Sequence, residues 1–187
     1  MKILSTLIAT FIFSQAHASQ VDPVAVFSTL LSQPIKAFQL DWKVGDRANY
    51  DIDMGFIKGT NETLVREKND RGFWVEQNMD LGFAGQQKAE ILFDKNTGQI
   101  LEFMVNGQPQ DIPDSGNQEV IEMREDNITV RAGNFDCVYV KVRDTDSNDV
   151  SEVWINPQVV PVSGALKQVS PGPMGTVTME LTSFEKN

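Results

Sequence analysis

Hydrophobic and polar residues alternate along much of this chain, which is the pattern of β-strands with one buried face. In the clearest run, residues 47–56, every second residue is apolar: Ala48, Tyr50, Ile52, Met54 and Phe56. The same period of two recurs in five further runs, at residues 73–83, 89–93, 101–105, 138–142 and 177–181. The sequence therefore predicts a protein built mainly from strands.

Short turn sequences separate these runs. Residues 69–72 and 94–98 are rich in Asn, Asp and Gly, and Asn106-Gly107 is the residue pair that favours a type I′ hairpin turn. Connections this short favour consecutive antiparallel hairpins over βαβ units. Residues 159–170 show no clear alternation, and we expect a loop there with a helical turn.

One short helix is predicted near the start, at residues 23–32. Asp22 is a good N-cap, Pro23 suits the first helical position, and Pro34 stops the helix. The apolar residues fall on one side at spacings of three and four: Val24, Phe27, Leu30 and Leu31. This stripe is suited to packing against a sheet.

The predicted fold is a single mainly β domain over residues 19–187. At this level of analysis it has about nine or ten strands in one large, curved antiparallel sheet, a half-barrel, with the helix on the concave face. A β-sandwich and a closed barrel are the alternatives.

Residues 1–18 have the features of a cleaved signal peptide. Lys2 precedes an apolar run, and Ala16 and Ala18 match the small residues that signal peptidase requires. The apolar run is too short to span a bilayer, which needs about 20 residues. We expect cleavage after Ala18 and a periplasmic mature chain with no integral membrane segment.

Composition then excludes several classes of function. The one histidine is His17, so the mature chain has none, and Cys137 is its only cysteine. This excludes histidine-dependent triads, the usual zinc, haem and copper sites, iron–sulfur clusters and an intramolecular disulfide. The net charge of the whole chain is −10, which argues against nucleic acid as a partner. We expect no cofactor and no metal.

Three segments resemble a known group of proteins: residues 43–50 (KVGDRANY), 130–142 (VRAGNFDCVYVKV) and 152–168 (EVWINPQVVPVSGALKQ). The group consists of exported Gram-negative envelope proteins related to the lipoprotein-localisation half-barrel. The resemblance implies this fold and the periplasm. It transfers no catalytic or ligand-binding residue to this chain.

Three functions remain open. The first is a non-enzymatic carrier that holds a lipid, an acyl chain or another apolar ligand in the half-barrel. Residues on the alternating apolar faces would then line its site: Tyr50, Ile52, Met54, Val75, Met79, Ile91, Val140 and Met179. The second is an interaction module that binds another envelope protein, and the third is a histidine-free hydrolase that uses two carboxylates.

Three local features of the sequence suggest further hypotheses. Cys137 is either a buried structural residue or a thiol activated by Lys141, on the same strand face. Residues 144–152 begin like a calcium loop, but Asp149 and Ile155 stand where an EF-hand requires glycine and glutamate. Trp74 lies on the polar side of its strand, either as a binding platform or as a site covered by another part of the chain.

Overall fold

The computed structural model describes residues 40–112, 118–172 and 175–187. The predicted signal peptide at residues 1–18 and the predicted helix at residues 23–32 lie outside the described residues, so both stay predictions. Among the described residues the helical content is one 3-10 turn at Gly82–Ala84, and no described helix has the length and apolar character of a membrane span.

The described residues contain eleven strands, which form one antiparallel sheet. In chain order they are β1 Arg47–Asp53, β2 Lys58–Lys68, β3 Gly72–Asp80, β4 Gln86–Asp94, β5 Ile100–Val105, β6 Gln108–Pro109, β7 Gln118–Val130, β8 Gly133–Asp144, β9 Val150–Ile155, β10 Ala165–Gly172 and β11 Gly175–Glu185. Their order across the sheet is β6-β5-β4-β3-β2-β1-β11-β10-β9-β8-β7. Two meanders, β1 to β6 and β7 to β11, are thus joined where β1 pairs with β11.

This architecture confirms the predicted large antiparallel sheet. The sheet is open, so the closed-barrel alternative is wrong, and its eleven strands exceed the predicted nine or ten. The predicted loop at residues 159–170 is also wrong in part, because Ala165–Gly172 is strand β10. Phe83, predicted to continue the alternation of β3, lies in the 3-10 turn.

The turn between β5 and β6 follows the sequence prediction. Asn106 has φ 51° and Gly107 has φ 76°, the two positive values that a type I′ turn requires. Val105 pairs with Gln108 directly across this two-residue turn. Asparagine and glycine adopt these angles at least cost, so the local sequence fixes the hairpin.

The connection between β9 and β10, residues 156–164, leaves the sheet and covers one of its faces. Val160 and Val162 in this connection are buried. Val162 joins a core cluster with Trp42, whose indole contacts the rings of Phe73 and Phe93 edge-on at centroid distances of 5.7 and 5.3 Å. The cover and the strands beneath it form the hydrophobic core at this part of the sheet.

The tip of the β7–β8 hairpin reaches across to β11. The N–H of Ala132 donates to the carbonyl of Leu181 at 3.1 Å, and the N–H of Arg131 donates to the Glu180 carboxylate at 3.1 Å. The rings of Phe135 and Phe184 lie 6.1 Å apart. The tip of the β7–β8 hairpin therefore packs against β11.

Candidate functional site

Strand register divides the β1–β5 half of the sheet into two faces. We call the side that carries Tyr50 and Ile52 the apolar face and the side that carries Asn49 and Asp51 the polar face. In an antiparallel sheet directly paired residues share a face. Three cross-strand rows of the apolar face follow: Val65, Val75, Ile91 and Phe103; Ala48, Thr63, Gln77, Ala89 and Val105; Tyr50, Asn61, Met79 and Gln87.

The first row is filled by protein. Val65, Val75 and Ile91 are each at most 2% exposed, because Trp42 and Val162 pack in the same cluster. We call this region, beneath Trp42 and the β9–β10 connection, the covered end of the apolar face. It has the close packing of an ordinary β-protein core.

Exposure rises in the next two rows, toward β3, β4 and β5. Gln77, Ala89 and Val105 in the second row and Met79 in the third are partly exposed, and Gln87 is exposed. Met54 and Val177 are partly exposed as well. We call this region, with Met54, Gln77, Met79, Ala89, Val105 and Val177, the open end of the apolar face. Within residues 40–112, 118–172 and 175–187, the apolar side chains here are less covered than those of the first row.

Polar side chains interrupt the apolar face next to the open end. Asn61 is 5% exposed and Thr63 is 3% exposed, so both are buried. The Nδ2 of Asn61 lies 3.4 Å from the Oγ1 of Thr63, whereas the Oδ1 of Asn61 has no hydrogen-bond partner in the described part of the chain. A buried polar atom without a partner is uncommon in folded proteins and calls for an explanation.

The eight residues predicted to line an apolar site fall into three clusters. Tyr50, Ile52 and Met179 belong to one core cluster, with Met54 and Met79 packed against it. Val75 and Ile91 belong to the cluster of Trp42, and Val140 belongs to a third cluster with Val142 and Val153. The structure thus leaves Met54 and Met79 partly exposed, both packed against the first cluster, and places Val75, Ile91 and Val140 in packed core.

The polar face carries one continuous cross-strand row over nine strands. Its members, from β7 to β4, are Arg124, Tyr139, Trp154, Lys167, Glu180, Asp51, Thr60, Asp80 and Gln86. The guanidinium of Arg124 lies 3.9 Å from the centre of the Tyr139 ring, and Arg131 forms an ion pair with Asp51. Cations, aromatic rings and carboxylates in this row therefore pair with one another.

A cleft of about 810 Å³ lies mainly among the polar residues of β1 to β4, and its lining also includes Tyr50, Asn61, Met79 and Gln87 of the apolar face. Its side chains bond mainly within the protein: Asn49 donates to Ser183 at 3.0 Å, Asn78 donates to Glu76 at 2.9 Å, and Glu62 lies 3.4 Å from Arg47. Lys88 contacts Glu76 at 2.8 Å. Several polar groups of the cleft thus have protein partners, whereas the Oδ1 of Asn61 has none among the described residues.

Two carboxylates near this cleft, those of Asp80 and Glu76, have lowered pKa values. The N–H of Gly82 and the amide of Gln86 hold the pKa of Asp80 below its usual range. Burial acts to raise the pKa of Glu76, but hydrogen bonds from Lys88 and Asn78 and the charges of Lys88 and Arg66 outweigh it, so this pKa is also lowered. A general acid at neutral pH needs a raised pKa, so these two groups favour permanent ionisation.

Cys137 is a buried thiol, 8% exposed, whose Sγ lies 3.5 Å from the carbonyl oxygen of Asp126. Burial raises its pKa, the charges of Asp126 and Asp136 raise it further, and only the charge of Arg124 opposes them. The sequence-based suggestion that Lys141 activates the thiol is wrong, because Lys141 instead pairs with Glu152 at 3.2 Å.

The loop at residues 144–149 and Trp74 make local contacts within the protein. Asp144 accepts hydrogen bonds from the N–H groups of Asp146 and Ser147, both at 2.9 Å, and so shapes the β8–β9 turn. Among the described residues no group of three or more potential metal ligands comes together. Trp74 is partly exposed beneath the guanidinium of Arg66, 5.6 Å from the ring centre.

Comparison with known proteins gives similarity to solved structures only. No protein-family model matches the sequence, and no curated protein matches it. A protein assigned as exported, with a YmcC-like fold, from Bacteroides fragilis NCTC 9343 is 12% identical, with a TM-score of 0.42 over 80% of this chain and 100% of that one. MucB is 10% identical, with a TM-score of 0.46 over 88% of this chain, which spans 58% of MucB. Similarity at this level identifies no ligand and no residue of a site.

Proposed function

We propose that this chain is a non-enzymatic binding protein of the bacterial periplasm that holds a lipid, an acyl chain or another apolar ligand. The site is the open end of the apolar face. One observation carries the proposal: Met54, Met79 and Val177 remain partly exposed on a face whose other end is closed by Trp42 and Val162. Methionine side chains adapt to ligands of varied shape, which suits a binding surface.

The hydrolase alternative has less support. Asp80 lines the cleft and Glu76 lies beside it. Both carboxylates have lowered pKa values and hydrogen-bond partners within the protein. A glycosidase-type site needs one carboxylic acid that stays protonated and a second carboxylate facing it. The arrangement of these groups instead supports a stabilising network on the polar face of the sheet.

Binding of a neutral fluorescent probe, N-phenylnaphthylamine, tests the proposal. We expect saturable binding at one site per chain and displacement by an uncharged acyl compound, mono-oleoylglycerol. Met79→Lys places a charge on the apolar face and should weaken probe binding by about tenfold or more, since an unpaired charge is costly to bury. Asn78→Lys, the adjacent residue on the polar face beside Glu62 and Glu76, is the matched control and should leave binding unchanged.

An absence of saturable binding by the native chain would contradict the proposal. Equal weakening by Met79→Lys and Asn78→Lys would place the probe away from the open end and contradict the assigned site. Melting curves of both variants separate loss of binding from loss of the fold.

The location rests on the signal peptide predicted at residues 1–18. Cell fractionation, intact mass and N-terminal sequencing test it. We expect a periplasmic product that starts at Ser19, and a membrane-bound product that retains residues 1–18 would contradict the prediction.

An interaction module is a second candidate, favoured by two exposed phenylalanines. Phe56 is 71% exposed and Phe83 is 82% exposed. Their turns lie side by side, because Thr60 of β2 pairs with Asp80 of β3 next to both turns. Substituting both residues with serine should abolish capture of an envelope protein if this surface binds one, and should leave probe binding unchanged if the open end is the site.

A further inference from the structure

The unpartnered amide of Asn61 sets a chemical requirement on whatever occupies the open end. Asn61 is 5% exposed, and its Oδ1 has no partner among the described residues, while its Nδ2 reaches only Thr63 at 3.4 Å. Exchanging the amide oxygen and nitrogen would leave the other atom unpartnered, so the deficit does not depend on that assignment. Without a partner, this buried polar atom destabilises the fold.

The position of Asn61 connects this deficit with the open end. Its direct neighbours across the sheet are Tyr50 on β1 and Met79 on β3, and the row continues to the exposed Gln87 on β4. Tyr50 already shares a hydrogen bond with Ser163. A ligand lying over Met79 would therefore come next to an amide group that has bonding capacity left.

The charges around Asn61 argue for an uncharged ligand group. The strand register places the basic residues near Asn61 on the polar face. There they form ion pairs with carboxylates: Arg47 with Glu62, Lys58 with Asp53, and Lys88 with Glu76. Because these three cations of the described residues already pair with carboxylates, a carboxylate or phosphate buried beside Asn61 would stay unpaired, and an unpaired buried charge is strongly unfavourable.

We infer that the open end binds an amphipathic ligand through an uncharged hydrogen-bonding head group, a hydroxyl or an amide, which the Asn61 side chain recognises while the apolar tail lies over Met79. This inference rests on the proposed function and names the chemical class of its ligand. Acylglycerols and fatty amides belong to that class, and free fatty acids and acyl phosphates do not.

Displacement of N-phenylnaphthylamine from the full chain by two ligands with the same tail tests the inference. Mono-oleoylglycerol has an uncharged head, and oleate at pH 8 has an anionic one. We expect mono-oleoylglycerol to displace the probe at a concentration at least about tenfold lower. In Asn61→Leu this preference should fall to less than about twofold, while the probe itself still binds. Asn78→Leu, which removes an amide from the polar face of the adjacent strand, is the matched control and should keep the preference.

The outcomes separate the two claims. No saturable probe binding by the native chain would overturn the proposed function. Saturable binding with equal or better displacement by oleate would overturn the inference alone, and so would a preference that survives Asn61→Leu. Asn61→Leu should melt at or above the temperature of the native chain, because it removes an unsatisfied polar group. If both Asn61→Leu and the smaller, strand-compatible Asn61→Val lower the melting temperature by more than about 4 °C, the amide is satisfied within the fold and the inference is overturned.

Discussion

The Oη of Tyr50 lies 3.0 Å from the Oγ of Ser163, and this hydrogen bond joins the centre of β1 to the connection that covers the apolar face. Tyr50 is 1% exposed, so its hydroxyl is removed from water. The same connection places Val162 against Trp42 and the first row of the face. One side-chain contact thus helps to hold the boundary between the covered end and the open end.

Tyr50→Phe should change how stability depends on alkaline pH. Burial raises the pKa of Tyr50 to about 12, with the Ser163 hydrogen bond acting in the opposite direction. Because the folded-state pKa lies above the unfolded value, the native chain keeps its full stability below pH 10 and loses it as pH rises toward 12. The loss is roughly 1 kcal/mol at pH 11 and approaches about 3 kcal/mol at higher pH.

Urea unfolding of native protein and Tyr50→Phe at pH 8 and pH 11 measures this effect. At pH 8 the variant should be less stable by about 1 kcal/mol, for the lost hydrogen bond. At pH 11 the difference should vanish or reverse, since only the native chain has this phenol to ionise. A difference that is the same at both pH values would show that Tyr50 titrates as an exposed tyrosine.

Asp46 should be a strong determinant of stability. It is 0% exposed, and its carboxylate accepts the N–H of Lys43 and the N–H of Asn187, both at 2.8 Å. Asp46→Ala removes the charged acceptor of these two N–H groups and should lower the free energy of unfolding by about 3 kcal/mol, because a hydrogen bond to a charged group contributes about 1.5–3 kcal/mol. Asp46→Asn keeps one acceptor oxygen and should have an intermediate effect.

The control for this prediction is Asp70→Ala, which removes an exposed carboxylate from the β2–β3 turn and should change stability by less than about 0.5 kcal/mol. Urea unfolding of the three variants gives the comparison. An Asp46→Ala variant within about 1 kcal/mol of the native chain would mean that other groups satisfy the two donors.

Cys137 should react slowly in the folded protein. Burial and the charges of Asp126 and Asp136 raise its pKa, so the reactive thiolate is scarce near neutral pH. A chromogenic disulfide reagent should label the thiol slowly in buffer and completely in denaturant. Fast stoichiometric labelling of native protein would instead support a redox role or a disulfide with a partner.

The sequence pattern predicts the parts of the fold in which buried positions carry apolar residues and turn positions carry residues that suit the backbone angles. In β1 the buried positions are apolar, and at Asn106-Gly107 the two residues suit the backbone angles, so both were predictable. Strand β2 shows no clear alternation because Asn61 and Thr63 occupy its buried positions. Strand β10 was missed for the same reason, since Gln168 and Ser170 are buried there and a bulge follows Ala165.

The candidate site was predictable only in part. Alternation indicated which face Met79 and Val75 share, but Val75 is covered and Met79 is partly exposed. The difference depends on where Trp42 and Val162 pack, and those contacts connect distant parts of the chain. The unpartnered oxygen of Asn61 likewise depends on tertiary distances. Asn61 becomes recognisable as a candidate only once the pairing of β2 is known, because this pairing places the asparagine between Tyr50 and Met79.

Native mass spectrometry of the chain purified from a periplasmic extract, followed by solvent extraction of the bound material, tests the central claim most directly. The account predicts a ligand-bound species with one amphipathic molecule per chain, and extraction should release a compound with an acyl tail and an uncharged head group. Met79→Lys purified in the same way should carry less of it, and Asn78→Lys should carry the native amount. A native chain with only its bare polypeptide mass, together with no saturable probe binding, would contradict the account.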